Sequence, residues 1–242
     1  MRRGRLLRRH RVGTVAATPW DPSMMSTALT GWWRADYAGS PWADDVASND
    51  LTEATNAPAT GAAVNGRTPA DFDGTNDLLT APGTLDTYMN AAAWSAVFLA
   101  YVDTAPTDPG DGARYTVAAI LSDTAAYMAL GVTDGGFYAE VADGIGASST
   151  IKQACSTGAW HMLFVRYNGT NIELGVDQVA LSSQAYASLG GVAGTVKIGR
   201  NWDGSAFYDG KLIEVLVADH AISNADRTSI RQYFNTRYGL AL

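Results

Sequence analysis

The sequence is poor in the residues that metal centres and covalent catalysts draw on. Cys155 is its single cysteine, which excludes an intrachain disulfide and a thiolate metal cluster. His10, His161 and His220 are its only histidines, spaced too widely for a metal motif. Its four glutamates, Glu53, Glu140, Glu173 and Glu214, stand isolated. Glycoside hydrolysis needs two carboxylates about 5–9 Å apart. Glu140 and Glu214 are the pair a sheet could bring together, and nothing in the sequence requires it. No Gly-rich phosphate loop precedes a helix, and there is no nucleophile elbow. No apolar run approaches the length of a bilayer span; the longest, Ala91–Val102, reads as a buried strand. Charged residues make up only 17% of the chain, which excludes a bundle of charged helices.

What is present points to β structure. Hydrophobic residues reach 47%, enough for a real core, and 25 glycines punctuate the 242 residues. The net charge of −7 hides a split. Arg2, Arg3, Arg5, Arg8, Arg9 and Arg11 all precede Gly13, and the rest carries 11 basic residues against 24 acidic, or −13. Residues 1–22 therefore read as a basic extended N-terminal arm and residues 23–242 as one globular domain. The arm cannot bury enough apolar surface to fold alone. It lacks an apolar stretch after its arginines, so it does not read as a signal peptide. Nucleic acid is disfavoured as its partner, because the acidic body opposes it. The arginines are expected to anchor the chain on a partner subunit.

The most informative stretch is Trp160–Asp177. Two strand-like runs flank Asn168-Gly169, a strong hairpin signal. A two-residue turn pairs Val165 with Ile172, Leu163 with Leu174 and His161 with Val176. A four-residue loop slides the pairing by two positions and keeps every side chain on its face. One face is apolar and must be buried. The other, with Trp160, Met162, Phe164 and Arg166, is expected on the outward or ligand-facing side.

Elsewhere, Ser23–Thr30 could make one helical turn and Gly31–Asp36 a first strand. Residues 40–65 read as irregular, with Trp42 and Leu51 as anchors. Trp94–Val102 is apolar on both faces and belongs at a sheet centre. Residues 210–218 form another central strand, with Ile213, Val215 and Val217 on one face and Leu212, Glu214 and Leu216 on the other. Near the end, Ser223 and Asp226 form a capping box, Ile230, Tyr233, Phe234 and Arg237 follow at helical spacing, and Gly239 stops the helix. The helix is expected on the sheet edge.

Several of these segments resemble one family. "Trp-His…Val-Arg-Tyr-Asn-Gly-Thr…Leu-Gly-Val-Asp" at 160–177 is similar to the central hairpin of laminin-G-like domains in the concanavalin A-like lectin/glucanase superfamily. Phe72–Asp77 resembles its early Phe-Asp-Gly turn. Tyr208–Val215 with Ala221–Asp226 resembles its last strand and closing helix. Gly-Trp-Trp-Arg-Ala-Asp at 31–36 fits the version in bacterial and phage proteins. The resemblance covers roughly residues 24–240. It implies an all-β jelly-roll sandwich of two antiparallel sheets with a short C-terminal helix, in glycan-binding or protein-binding roles. Glucanase members carry a Glu-x-Asp-x-x-Glu run that this chain lacks, so it is not expected to be an enzyme.

The residue types then nominate sites. Sugar sites stack aromatic faces beside orienting polar groups. Asn201, Trp202, Asp203 and Tyr208 form the densest such loop, and Trp42 is a second candidate. Trp202 equally fits a lid folded over the sandwich. Of the metals only Ca²⁺ suits the loops, with Asp71, Asp73, Asn76 and Asp77 as its best cluster, though Asp and Asn also serve plain turns. No other cofactor is expected. The leading expectation is a non-catalytic display module, anchored by its arm to capsid or tail subunits of a virion and forming a homo-oligomer. The alternative is a stand-alone extracellular or cell-surface carbohydrate-binding module, with glycoside hydrolase a distant third.

Overall fold

The computed structural model describes residues 19–82, 92–103, 115–121, 126–133, 136–143, 148–186, 195–200 and 207–242. In chain order its strands are β1 (Gly31–Trp33), β2 (Ala59–Thr60), β3 (Ala70–Asp73), β4 (Leu79–Thr80), β5 (Trp94–Val102), β6 (Tyr115–Leu121) and β7 (Ala126–Thr133). Then come β8 (Gly136–Asp143), β9 (Ser148–Gln153), β10 (Trp160–Tyr167), β11 (Asn171–Val176), β12 (Ser182–Ala185), β13 (Thr195–Ile198) and β14 (Asp209–Ala218). A 3₁₀ turn, Pro22–Met24, precedes them, and helix α1 (Asn224–Tyr238) follows.

The strands make two antiparallel sheets, as the alternating patterns predict. One runs β12-β11-β10-β5-β14-β3-β2, with β1 also on β14; the other runs β4-β13-β6-β7-β8-β9. Strand β14 serves two partners along one edge, pairing its first half with β3 and its second with β1. The main core lies between the sheets. Trp33, Trp94, Phe98, Leu163, Val165, Leu174 and Val215 fill it from the larger sheet, and Leu130, Phe137, Val196 and Ile198 from the smaller.

The hairpin adopts the slid register. Val165 pairs with Leu174 and Leu163 with Val176. Asn168 explains the choice: its Oδ1 accepts from the N–H groups of Thr170 and Asn171 at 3.1 and 2.9 Å, so the side chain closes the turn itself. Gly169 supplies the positive φ, 94°. The second face of the hairpin is not exposed as expected. Met162 and Phe164 are fully buried in a second core with Trp32, Val97, Leu99, Ile213 and Leu216.

Helix α1 covers that second core. Ser223 caps it as the sequence implies, accepting from Asp226 N at 3.0 Å, and Gly239 ends it at a φ of 67°. Its stripe of Ile230, Tyr233, Phe234 and Tyr238 packs across the outer face of β5, β10 and β14 rather than on an edge. Ser95 fixes the chain entering the helix: its Oγ donates to His220 O and accepts from Ile222 N, each at 2.8 Å. Ser95→Ala strands both backbone groups in a dry site and should cost about 1–2 kcal/mol in urea melts.

A register shift between Leu212 and Glu214 corrects the face assignment of β14. The extra residue places Leu212 with Val215 and Val217 in the main core and Ile213 with Leu216 in the second. Trp20 also packs against the second core and meets Tyr233 edge-on at 6.3 Å. The fold therefore begins by Trp20, inside the span assigned to the arm. Residues 1–18, with the six arginines, lie outside the described residues.

Candidate functional site

The chain leaves β1 into a loop, residues 34–45, that backbone geometry pins at several points. Trp33 bridges to Asp44 and Trp42 to Leu51. The N–H groups of Asp36 and Tyr37 both donate to Thr68 O, at 3.0 and 3.1 Å. Asp44 ties down the loop's far end by accepting from Trp32 N at 2.8 Å and Ala47 N at 3.2 Å. Tyr37 OH donates to Pro58 O at 3.1 Å and Trp42 Nε1 to Arg34 O at 2.6 Å. The two rings meet edge-on at 5.5 Å and are buried.

Over this aromatic floor sits a polar cleft of about 570 Å³, lined among others by Arg34, Asp36, Asp45, Arg67 and Arg237. Arg34 pairs with Asp45, and Arg67 with Asp36 at 2.6 Å. The hydrogen bond to Asp45 holds the Arg34 pKa above its ordinary value. Arg34 also lies over the Trp32 ring at 4.5 Å, which restrains it from below. A guanidinium has five donors and a carboxylate about four acceptor sites, so each pair keeps capacity for a ligand. Two guanidinium–carboxylate pairs thus line the cleft, offering both donors and acceptors. A vicinal diol, whose hydroxyls each donate and accept, can use both.

Beneath the rim, Glu214 is completely buried. Trp32 Nε1 donates to it at 2.6 Å, Tyr238 OH donates a short hydrogen bond, Tyr233 OH stands at 3.4 Å and Arg237 Nε at 3.9 Å. Burial dominates these donors and pushes the carboxyl pKa up to about 7. Three donors, Trp32 of β1 and Tyr233 and Tyr238 of α1, thus converge on one carboxyl group, which stands 3.9 Å from Arg237 at the cleft.

A second polar cluster has the shape of a catalytic relay. Ser156 Oγ lies 2.9 Å from His161 Nε2, and His161 Nδ1 lies 2.7 Å from Asp177 Oδ2. Its protonation state argues against catalysis. Burial would depress the imidazole, but the hydrogen bond to Asp177 and the neighbouring Cys155 thiol overcome it and raise its pKa to about 10. A protonated ring cannot accept the serine proton at neutral pH. Asp177 also accepts from Met162 N at 2.8 Å, so the cluster staples the residue-156 loop to the end of β11.

The residues nominated from sequence fare unevenly. Asn201, Trp202 and Asp203 lie outside the described residues. Tyr208 is fully buried, donating to Tyr101 O at 2.8 Å and packed on Phe72; it offers no face to a sugar. Trp42 lines the cleft but is only 4% exposed, so it supports the site from beneath rather than stacking on a ligand. The Ca²⁺ cluster does not converge. Asp73 Oδ1 accepts from Thr75 N and Asn76 N, Asp77 Oδ2 accepts from Asp73 N, and Asp71 faces Lys211. Among the described residues no group of three His, Cys, Asp or Glu side chains could hold a metal ion. Glu140 and Glu214 belong to different sheets. Glu214 faces the second core, and Glu140 follows inward-facing Ala139 on β8, so the sandwich separates them. Sheets pack about 10 Å apart, too far for a carboxylate pair on opposite outer faces.

Sequence reasoning missed Arg34, Asp36, Asp45, Arg67 and Arg237. Two signals pointed to them. Arg34 and Asp36 directly follow two tryptophans, and Arg237 is the charged member of an otherwise apolar helical stripe.

No protein-family model matches the chain, and no curated protein matches its sequence. Solved structures do. Domain 4 of AbnA, a GH43 extracellular arabinanase from Geobacillus stearothermophilus solved with arabinotriose, aligns with a TM-score of 0.67 at 15% identity, over 84% of this chain and 98% of that one. The CBM40 of Ruminococcus gnavus IT-sialidase, bound to α2,3-sialyllactose, gives a TM-score of 0.53 at 11% identity, over 65% and 93%. A botulinum neurotoxin type C structure concerned with two ganglioside molecules gives 0.63 at 9% identity, over 87% and 51%, so the chain spans about half of its length. At these identities the likeness establishes the fold. The chain is a β-sandwich of two antiparallel sheets. Among the described residues, no helix is long and apolar enough to cross a membrane.

Proposed function

We propose that this chain is a non-catalytic carbohydrate-binding module, of the laminin-G-like kind, that takes a sugar in the cleft of Arg34, Asp36, Asp45, Arg67 and Arg237. The two guanidinium–carboxylate pairs over a buried aromatic floor carry the reading. The solved neighbours support it, since two are carbohydrate-bound domains, one of them from an extracellular arabinanase. The separation of Glu140 from Glu214 argues against hydrolysis. An extracellular or cell-surface setting follows from the same reading. Display on a virion, with partner subunits gripped by the arm, rests on the charge of residues 1–11 alone.

A glycan array probed with the full chain tests the proposal, with Arg67→Ala beside it. The Arg67–Asp36 pair is half-exposed, its side chains 41% and 52% accessible, so removing it should leave the fold intact. The wild type should bind at least one glycan and the variant about tenfold more weakly, the worth of one charged hydrogen bond. A blank array, or equal binding by the variant, would refute the cleft.

A further inference from the structure

We infer that the ligand is an oligosaccharide rather than a single sugar, and that its next units lie in a second groove between Trp20 and the outer face of α1. This rests on the carbohydrate-binding reading above. The groove, about 680 Å³, is lined by Pro19, Trp20 and Asp21 on one side and by residues of α1 on the other. Arg237 lines it and the polar cleft alike, so the two sites adjoin at that side chain. Each is the size of a small-molecule site.

The chemistry of the groove complements the cleft. The cleft presents charged pairs that suit the hydroxyl edge of a sugar. The groove presents Trp20 and Tyr233, whose edge-on contact at 6.3 Å fixes the indole orientation. An indole held in place suits the C–H face of a pyranose or furanose ring. The α1 residues Ser229, Gln232, Tyr233, Thr236 and Arg237 follow the i, i+3, i+4, i+7, i+8 pattern of one helix face. Exposed Gln232 and Thr236 place an amide and a hydroxyl beside the aromatic pair. From Ser229 to Arg237 the helix rises about 12 Å, longer than one sugar ring and enough for two. A chain of linked sugars can therefore run from the cleft, past Arg237, along the helix.

Calorimetric titration of the full chain with cello-, malto- and arabino-oligosaccharides of one to four units tests this. For the series that binds, affinity should rise at least tenfold from one unit to three. Trp20→Ala should abolish that rise while binding the monosaccharide as the wild type does. Because Trp20 also packs against the second core, Gln232→Ala with Thr236→Ala, both exposed, provides a variant that leaves the buried contacts of α1 in place; it should reduce the rise at least threefold. Arg67→Ala should weaken every length equally. Affinity independent of length, or a rise unchanged in both groove variants, overturns the second subsite and leaves the cleft standing. Failure of every series to bind overturns both.

Discussion

Glu214→Gln should abolish the fall in stability of about 3 kcal/mol expected of this group in the wild type between pH 4.5 and 7. The sign follows from the shift. The carboxyl titrates at 4.5 when exposed and at about 7 when buried under α1, so between those values the folded state holds a proton that the unfolded state has lost. Stability from this group is complete below pH 4.5 and is lost as pH rises through 7. Glutamine is uncharged throughout and keeps an acceptor for Trp32 Nε1, so the variant should lose this group's part of the slope over this range. Asp77, also raised by burial, contributes a slope of the same sign in both proteins, which makes the difference between them the quantity to measure. Urea melts at half-unit steps of pH provide it. A variant retaining the full wild-type slope would show that Glu214 is already charged at pH 5 and that its donors, not its burial, set its state.

His161→Gln should remove a separate decline at higher pH. The imidazole pKa rises from 6.5 to about 10 in the fold, so its contribution is complete below 6.5 and is lost as pH rises through 10. At pH 7 the variant loses a charged hydrogen bond to Asp177 and should be destabilised by about 1.5–3 kcal/mol. Asp177→Asn should flatten the same window, because it removes the partner that opposes burial. Thermal melts from pH 6 to 10.5 decide the matter. A wild-type slope surviving both substitutions would assign it to other groups and leave His161 neutral, which would reopen the Ser156–His161–Asp177 relay as a catalyst.

Much of the fold was legible because it depends on local rules. Asn168-Gly169, the two-sided apolarity of Trp94–Val102 and the Ser223/Asp226/Gly239 frame of α1 each act within a few residues. What was illegible depends on contacts distant in sequence. The bulge in β14 follows from its pairing with β5, and periodicity alone put Ile213 on the wrong face. The mixed composition of Met162 and Phe164 with Arg166 looked solvent-facing, yet α1 covers it from some sixty residues away. The cleft was hidden for the same reason. Arg34, Arg67 and Arg237 come from three distant segments and meet through long-range contacts: Asp36 pairs with Arg67, and Glu214 joins Trp32 of β1 to Tyr238 of α1. Tyr208 and Trp42 were nominated for exposed roles because aromatic residues in polar loops look like sugar platforms, whereas here each spends its polar atom on a backbone carbonyl within the core.

The crystal structure of the full chain soaked with the strongest oligosaccharide from the array tests the central claim most directly. The account predicts a sugar ring over the Tyr37–Trp42 floor, with its hydroxyls within hydrogen-bond distance of Arg67, Asp36 and Arg34. A sugar found instead on the outer face of the smaller sheet, near Lys197, with the cleft filled by water, would contradict it.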